Sequence, residues 1–297
     1  GCPFQAGAAQ GFASVKARLD AKDSSDKVRI KPEKFADHYT QARLFYESQT
    51  AVEQAHIAAA FRFELSKVTV PAVRQRMVAS LRNASEQLAK KVADGLGMEL
   101  PEALPVALAK PPKPEVRHSP ALSLTARPGE GGIRTRQVAV LIADGADGAG
   151  IAAVVGTLKE QGAVPRLVGP RLGAFSAAGG QQLNADATLE NNPGVLFDAL
   201  VLPDGAAAVE ALAGDGHTME FVKDQYRHCK TILALGASHS LLTLAGIPDT
   251  LPDGKPDPGV ITTDAGAAAA TAGAVSTFIE ALALHRHYAR DTDPPLI

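Results

Sequence analysis

The chain has 297 residues, 45% hydrophobic and 21% charged, with a formal net charge of −2, enough for one large or two ordinary globular domains. Lysine and arginine number 30 against 32 acidic residues and aromatics make up 5%, so neither a basic surface nor a stacking platform marks nucleic acid as a partner. No apolar run reaches the ~18 residues of a membrane span, and residues 1–30 lack the basic start and apolar core of a signal peptide. The two cysteines, Cys2 and Cys229, stand too far apart in sequence for a CxxC pair, which argues against a disulfide framework or a structural zinc site and fits a reducing, cytoplasmic compartment. The start Gly-Cys-Pro, without Met, gives the expectation of a processed or excised piece.

Residues 1–37 mix Gly, Ala, Lys and Asp without a sustained period and read as an irregular, solvated arm that needs a partner surface to become ordered. A helical region over 38–100 follows. Thr50 and Glu53 form a capping box that starts a helix, and Val52, Ala55, Ala59 and Phe63, with Ile57, Phe61 and Leu65 beside them, make it apolar over much of its circumference. Such a helix is expected to be wedged between neighbours.

Pro71 suits the first turn of a second helix, with Val73, Met77, Val78 and Leu81 facing inward and Arg74, Arg76 and Arg82 outward. Asn83 and Glu86 repeat the capping-box spacing ahead of Leu88, Val92 and Leu96, and Gly95 and Gly97 stop that third helix. Residues 101–131 read as a linker: Pro101, Pro105, Pro111, Pro112, Pro114, Pro120 and Pro128 remove backbone donors and oppose both helix and central strand.

Residues 132–297 change to α/β alternation. Val138–Ile142, Val164–Val168, Phe197–Leu202 and Ile232–Leu235 are short apolar runs flanked by Gly, Pro or Asp, the pattern of buried parallel strands. Helices are expected through Ile151 and Leu158, over Ser238–Ala245, and over Ala267–His287. The fold class is therefore α/β, a flavodoxin-like three-layer sandwich with a parallel sheet, preceded by a small all-α subdomain.

The stretch from Phe35 to Thr50, then Glu53–Ile57, Phe63–Val68, and Pro71, Arg74, Arg76 and Met77 through Gly95-Leu-Gly97, resembles the helical region that follows the haem barrel of monofunctional catalases. The order helical region, proline-rich linker, flavodoxin-like domain is similar to the large-subunit lineage of that family, and Gly1-Cys-Pro-Phe4 looks like the segment before the helical region. The resemblance implies a parent that converts hydrogen peroxide to water and oxygen, with haem held by a barrel supplying a distal His and Asn and a proximal Tyr. It also implies the barrel portion of the same protein as a partner and a homo-oligomer, a tetramer in that family. None of the three haem-site residues falls in this chain. Arg43-Leu-Phe-Tyr46 superficially resembles the proximal motif, but its Tyr comes one residue early and Ser48 stands where an Asp is expected. No haem-binding or catalytic residue is therefore assigned, and the expected role is stabilisation of the oligomer, with residues 1–40 and the linker as interface segments. A holdase acting on unfolded client proteins, through apolar surface on the helical region, is the alternative.

The C-terminal domain resembles a second family, the class I glutamine amidotransferase-like proteins of the DJ-1 type, which work through a Cys on a strained strand-to-helix turn. In Lys230–Leu242 strand and helix remain, but Gly236 stands at the nucleophile position and Ala237 at its His neighbour. The family's acidic partner falls at Gly150, and Asp204 replaces the first glycine of the oxyanion turn, where a carboxylate would repel a developing oxyanion. These departures point to a pseudo-enzyme and against a hydrolase or glyoxalase.

Other polar features are read conservatively. Cys229, beside His228 and Lys230, precedes its strand and reads as a helix-end cysteine. His239 reads as a helix-start residue without a nucleophile to activate. His285 and His287, two apart on a helix, point to different faces and suit a basic helix terminus better than a metal. Gly179-Gly180 and Asp144-Gly145 read as turns, lacking any phosphate-binding signature.

Overall fold

A computed structural model describes residues 29, 31, 33–108, 110, 113–125, 131–264 and 268–297. The expected N-terminal arm and both Gly1–Phe4 and Cys2 lie almost wholly or wholly outside the described residues. The chain divides into two compact units, one of residues 1–49 and 54–122, the other of residues 50–53 and 123–297.

The helical unit contains α1 (Thr40–Glu47), α2 (Ala51–Ser66), α3 (Pro71–Ala84) and α4 (Glu86–Gly95). Its core is small: Tyr46, Ala58, Leu65, Val78, Leu81, Leu88, Ala89, Val92 and Ala93. Helix α4 ends as its glycines require. Gly97 takes φ +63°, Met98 N–H donates to the Ala93 carbonyl at 3.1 Å, and Gly97 N–H donates to Asp94 at 3.1 Å, a Schellman closure.

Three expectations need correction. The cap of α4 is Ser85, whose Oγ accepts Leu88 N–H at 3.2 Å, whereas Asn83 still belongs to α3 and spends its amide on the Leu104 carbonyl at 2.9 Å. Glu86 pairs with Arg82 at 3.0 Å. The inner face of α3 is Val78, Ala79 and Leu81, with Val73 39% and Met77 42% exposed, because a core this small covers barely two turns of the helix. Nor is α2 wedged inside its own unit: Ala58 and Leu65 are buried, but Phe63 is 63% exposed.

The proline-rich stretch does more than connect. Arg82 Nη1 donates to the Pro101 carbonyl at 2.7 Å, and Leu104 N–H donates to Ala79 at 3.3 Å. Ser119 N–H reaches Ser48 Oγ at 2.9 Å, and Gln49 Nε2 reaches the Leu122 carbonyl at 3.1 Å. Proline leaves carbonyls unpaired within the segment, and side chains of the helices satisfy them.

Residues Thr50–Glu53 group with the α/β unit for an identifiable reason. The capping box forms, with Thr50 N–H on Glu53 Oε2 at 2.8 Å, and the same carboxylate accepts Ser123 Oγ at 2.7 Å, Leu124 N–H at 2.9 Å and Thr125 N–H at 3.2 Å. Burial alone would raise the Glu53 pKa, but these donors outweigh it and hold it down to about 2.

The α/β unit is built on β1 (Gln137–Leu141), β2 (Val164–Gly169), β5 (Ala187–Thr188), β6 (Ala199–Leu202), β7 (Thr231–Ala234) and β8 (Val260–Thr262), all parallel, in the order β5-β2-β1-β6-β7-β8. Strands β6 and β7 are buried at every residue, as a sheet covered on both faces demands. Helices α5 (Gly148–Glu160) and α9 (Ala268–Ala283) pack together, while α6 (Ala206–Ala213), α7 (Gly216–Arg227) and α8 (His239–Leu244) form the other group. The expected α/β sandwich is thus present. An antiparallel hairpin of β3 (Gly173–Ser176) and β4 (Gln182–Ala185) is added to it; such short polar strands leave no clear periodicity.

Helix α9 stops at Ala283, short of the expected His287, and His285 takes φ +69°. The chain then folds back under the amino ends of the strands. His287 N–H donates to the Cys229 carbonyl at 2.7 Å, and its Nε2 lies 3.0 Å from Thr231 Oγ1. Arg290 is buried: it grips Asp257 through Nε and Nη2, the latter at 3.0 Å, donates Nη1 to the Lys230 carbonyl, and lies 4.7 Å over the Tyr226 ring. Lys230 is buried beside it, with Nζ on the Gly194 carbonyl at 2.8 Å and its pKa lowered by burial to about 8.

Burial, reinforced by the Arg290 charge, lowers the His287 pKa from 6.5 to about 4. Below 6.5 the unfolded chain binds a proton that the folded chain refuses, so this contribution to stability is complete above pH 6.5 and is lost as pH falls toward 4. The expected loss is on the order of 3 kcal/mol, from about 1.4 kcal/mol per pKa unit. Urea denaturation at a series of pH values checks it: His287→Gln should flatten the slope in this window, and an unchanged slope would contradict the assignment.

Candidate functional site

Strand register fixes where any chemistry could happen. Leu202 pairs with Ala234, so the residues two further on, Asp204 and Gly236, face each other across the carboxyl ends of β6 and β7. The order of the strands reverses between β1 and β6, which is where an open α/β sheet normally leaves a ligand crevice.

That crevice is closed by backbone. Asp147 N–H donates to the Asp204 carbonyl at 2.9 Å. Gly205 takes φ +116°, and the Gly145 carbonyl occupies the space a Cβ on Gly205 would need. A Cβ on Gly145, at φ +85°, would in turn meet that of Ala207 at 2.7 Å.

The turn after β7 is left-handed at Gly236, the position that the resemblance gives to a nucleophile. Gly236 has φ +53°, and its N–H donates to Thr263 Oγ1 at 3.0 Å. Asp204 Oδ1 accepts Ala237 N–H at 2.9 Å and Gly205 N–H at 2.7 Å, while Cγ and both carboxylate oxygens crowd the position of a Cβ on Gly236. From the sequence, Asp204 was expected to repel an oxyanion. The geometry goes further, because its own oxygen holds the two donors an oxyanion would use.

The remaining sequence candidates are not brought together. Gly150 lies in the first turn of α5, crowded by the Asp147 carboxylate, which caps that helix through Ala149 N–H at 3.1 Å. His239 is exposed at the start of α8. The Asp144-Gly145 turn is internally paired: Asp144 Oδ1 accepts Ser176 N–H and Gly145 N–H donates to the Ser176 carbonyl, both at 2.7 Å. Gly179 and Gly180, with φ +92° and +87°, turn the β3–β4 hairpin.

His285 and His287 share no helix, contrary to expectation: His285 Nε2 lies 3.7 Å from Asp198, while His287 is buried under β7. Tyr46 is sealed in the helical core at 4% exposure, and its hydroxyl has no hydrogen-bond partner among the described residues. It belongs to the same buried cluster as Ala58, Leu65 and Val78.

Cys229 sits at φ +57° after α7, buried, with Sγ donating to Asp291 Oδ1 at 3.3 Å. Burial and the Asp291 carboxylate push its pKa up to about 12. Sequence reasoning missed the roles of Lys230, Asp257 and Arg290. Their signal was a charged residue at the mouth of an apolar strand, which becomes legible only when a partner can be assigned.

Among the described residues no group of three or more His, Cys, Asp or Glu side chains could hold a metal ion, and no helix is long and apolar enough to cross a membrane. An open depression of about 740 Å³ is lined by Asp144, Pro170, Arg171, Phe175, Glu210 and Asp215, away from the turn at Gly236.

The profile described as "C-terminal domain found in long catalases" matches residues 134–292, and "Catalase-related immune-responsive" matches residues 32–96. Catalase C of Rhizobium meliloti (strain 1021) is 42% identical over 84% of this chain and 35% of its own length. Catalase HPII of Pseudomonas putida is 36% identical over 95% of this chain and 36% of its own length. Catalase HPII of Mycobacterium avium is 37% identical over 99% and 40% respectively. The chain therefore spans a little over a third of the length of these relatives.

The buried, acid-facing thiol makes a direct prediction. Iodoacetamide at neutral pH should leave Cys229 unmodified in the folded chain and alkylate it fully in urea, read from its peptide by mass spectrometry. Rapid labelling in the folded state would contradict the geometry.

Proposed function

Starting from a chain that belongs to the family of C-terminal domains found in long catalases, we propose that it is the non-catalytic C-terminal portion of a large-subunit haem catalase. The observation that carries this reading is the order of the two family matches along one chain, helical region first and α/β domain second. The parent reaction is 2 H₂O₂ to 2 H₂O and O₂. Haem, with its axial ligand and distal groups, would belong to the barrel of the parent, since Tyr46 is unsuited to it.

The role assigned to this portion is to pack on haem-bearing barrels and strengthen a homo-oligomer, a tetramer by family resemblance, in the cytoplasm. Exposed Phe63, Val70, Val73 and Met77 on the helical unit support it, because apolar side chains left in water are stabilised by being covered. The α/β domain is read as a pseudo-amidotransferase, its elbow lacking a nucleophile and its donors already taken. The test compares the parent catalase with a version ending before Gly1. The complete protein should form the larger or tighter oligomer by light scattering and keep more activity after heating; equal oligomers and equal heat inactivation would remove the stabilising role.

The same exposed side chains favour a second reading, a holdase for unfolded clients. Equimolar chain should then suppress heat-induced light scattering of an aggregating client. Replacing Phe63 and Met77 with Ser should abolish the effect, and a wild-type chain that leaves scattering unchanged excludes it.

A further inference from the structure

We propose that the amino-terminal end of the α/β sheet carries a binding site for a doubly charged oxyanion of the phosphate and sulfate class, formed by Arg286, Arg136 and His285. Its basis is an arginine without a counter-charge. Arg286 is half-buried, yet among the described residues its guanidinium makes one hydrogen bond, from Nη1 to the His285 carbonyl at 2.9 Å, and no ion pair. A cation withdrawn from water normally has a carboxylate beside it, as Arg290 has in Asp257.

The neighbours of Arg286 add to the excess. Arg136, just before β1, and His285, after α9, both turn to one oxygen, Asp198 Oδ1, with Nη1 at 3.5 Å and Nε2 at 3.7 Å. The other oxygen of that carboxylate accepts Gln137 N–H at 2.9 Å, so both are engaged before Arg286 is served. Lys230 lies buried behind them with its amine on the Gly194 carbonyl, and the next carboxylate, Asp224, is paired with Arg227 at 3.8 Å. Arg136, Lys230 and Arg286 thus stand against the single charge of Asp198, and protonation of His285 widens the excess. Burial, and then the charges of Arg286, Arg136 and Lys230, lower the His285 pKa.

A dianion answers both needs. It cancels the excess charge, and its several oxygens accept the free Nε and Nη2 donors of Arg286 while Arg136 and His285 keep Asp198. Side-chain exposures of 31% for Arg136 and 42% for His285 leave the cluster open to solvent, whereas Lys230 supplies charge from beneath.

The experiment follows the ionisation of His285 by NMR in the full chain, in sodium sulfate and in sodium chloride at matched ionic strength, between about pH 5 and pH 8. A dianion beside the imidazole favours its protonated form, so His285 should titrate about one pH unit higher in sulfate. Arg286→Gln should abolish the difference between the two salts, and Arg76→Gln, in the helical unit, should keep it. Equal titration of His285 in both salts, or an undiminished difference in Arg286→Gln, overturns the proposal.

Should Arg286→Gln fail to fold, the wild-type chain answers the question. As sulfate is added, the Nε–H signals of Arg286 and Arg136 should move along one saturable curve while that of Arg166 stays still; static Arg286 and Arg136 signals overturn the proposal. Glycerol 2-phosphate in place of sulfate separates the sources of the ligand. The same curve identifies the phosphate group of a larger molecule, a response to sulfate alone identifies a free ion, and either result supports a dianion site.

Discussion

Parallel pairing of β6 between β1 and β7 is the constraint on which the α/β unit rests. All residues of β6 and β7 are buried, so a slip of register would leave ladder groups unpaired in an apolar interior, a cost of about 1–3 kcal/mol for each unsatisfied group. Register in turn decides what meets beyond the strand ends. It places Asp204 opposite Gly236 and Asp147 against the Asp204 carbonyl, and so converts the position of a usual ligand crevice into a junction of loops. The pairing of the Asp204 carboxylate and the closure of the crevice are thus two results of one arrangement.

A second constraint acts at the opposite ends of the strands. Burying Arg290, Asp257, Lys230 and His287 is expensive unless every polar group finds a partner, and each does: guanidinium to carboxylate and carbonyl, amine to carbonyl, imidazole to hydroxyl. Removing one member of such a pair typically costs about 3–5 kcal/mol, because the other is left buried alone. The segment after α9 is therefore fixed under β7, which also encloses Cys229 and holds its thiol protonated.

The helical unit follows a different economy. Its core is small, its proline-rich stretch is held by hydrogen bonds from α3 and from the turn after α1, and several of its larger apolar side chains stay exposed. Membership in the long-catalase family gives these exposed residues a rationale under the proposed function, since a unit that is one part of a larger assembly does not need to bury everything against itself.

What the sequence determined by itself was whatever local chemistry dictates. The strands around Val138, Val164, Ala199 and Ile232 were legible because a sheet covered on both faces demands continuous apolar runs, and the Thr50–Glu53 cap because donor and acceptor lie within one turn. Tertiary structure decided the rest. Ser85 rather than Asn83 caps α4 because Asn83 finds a carbonyl 21 residues away, and α9 ends early because His287 and Arg290 have partners under β7. Asp204 changes from an obstacle to a ligand only when register brings two N–H groups to one of its oxygens. Each of these outcomes depends on a partner distant in sequence, and spacing along a chain carries no information about which distant groups the packed core will bring within hydrogen-bonding reach.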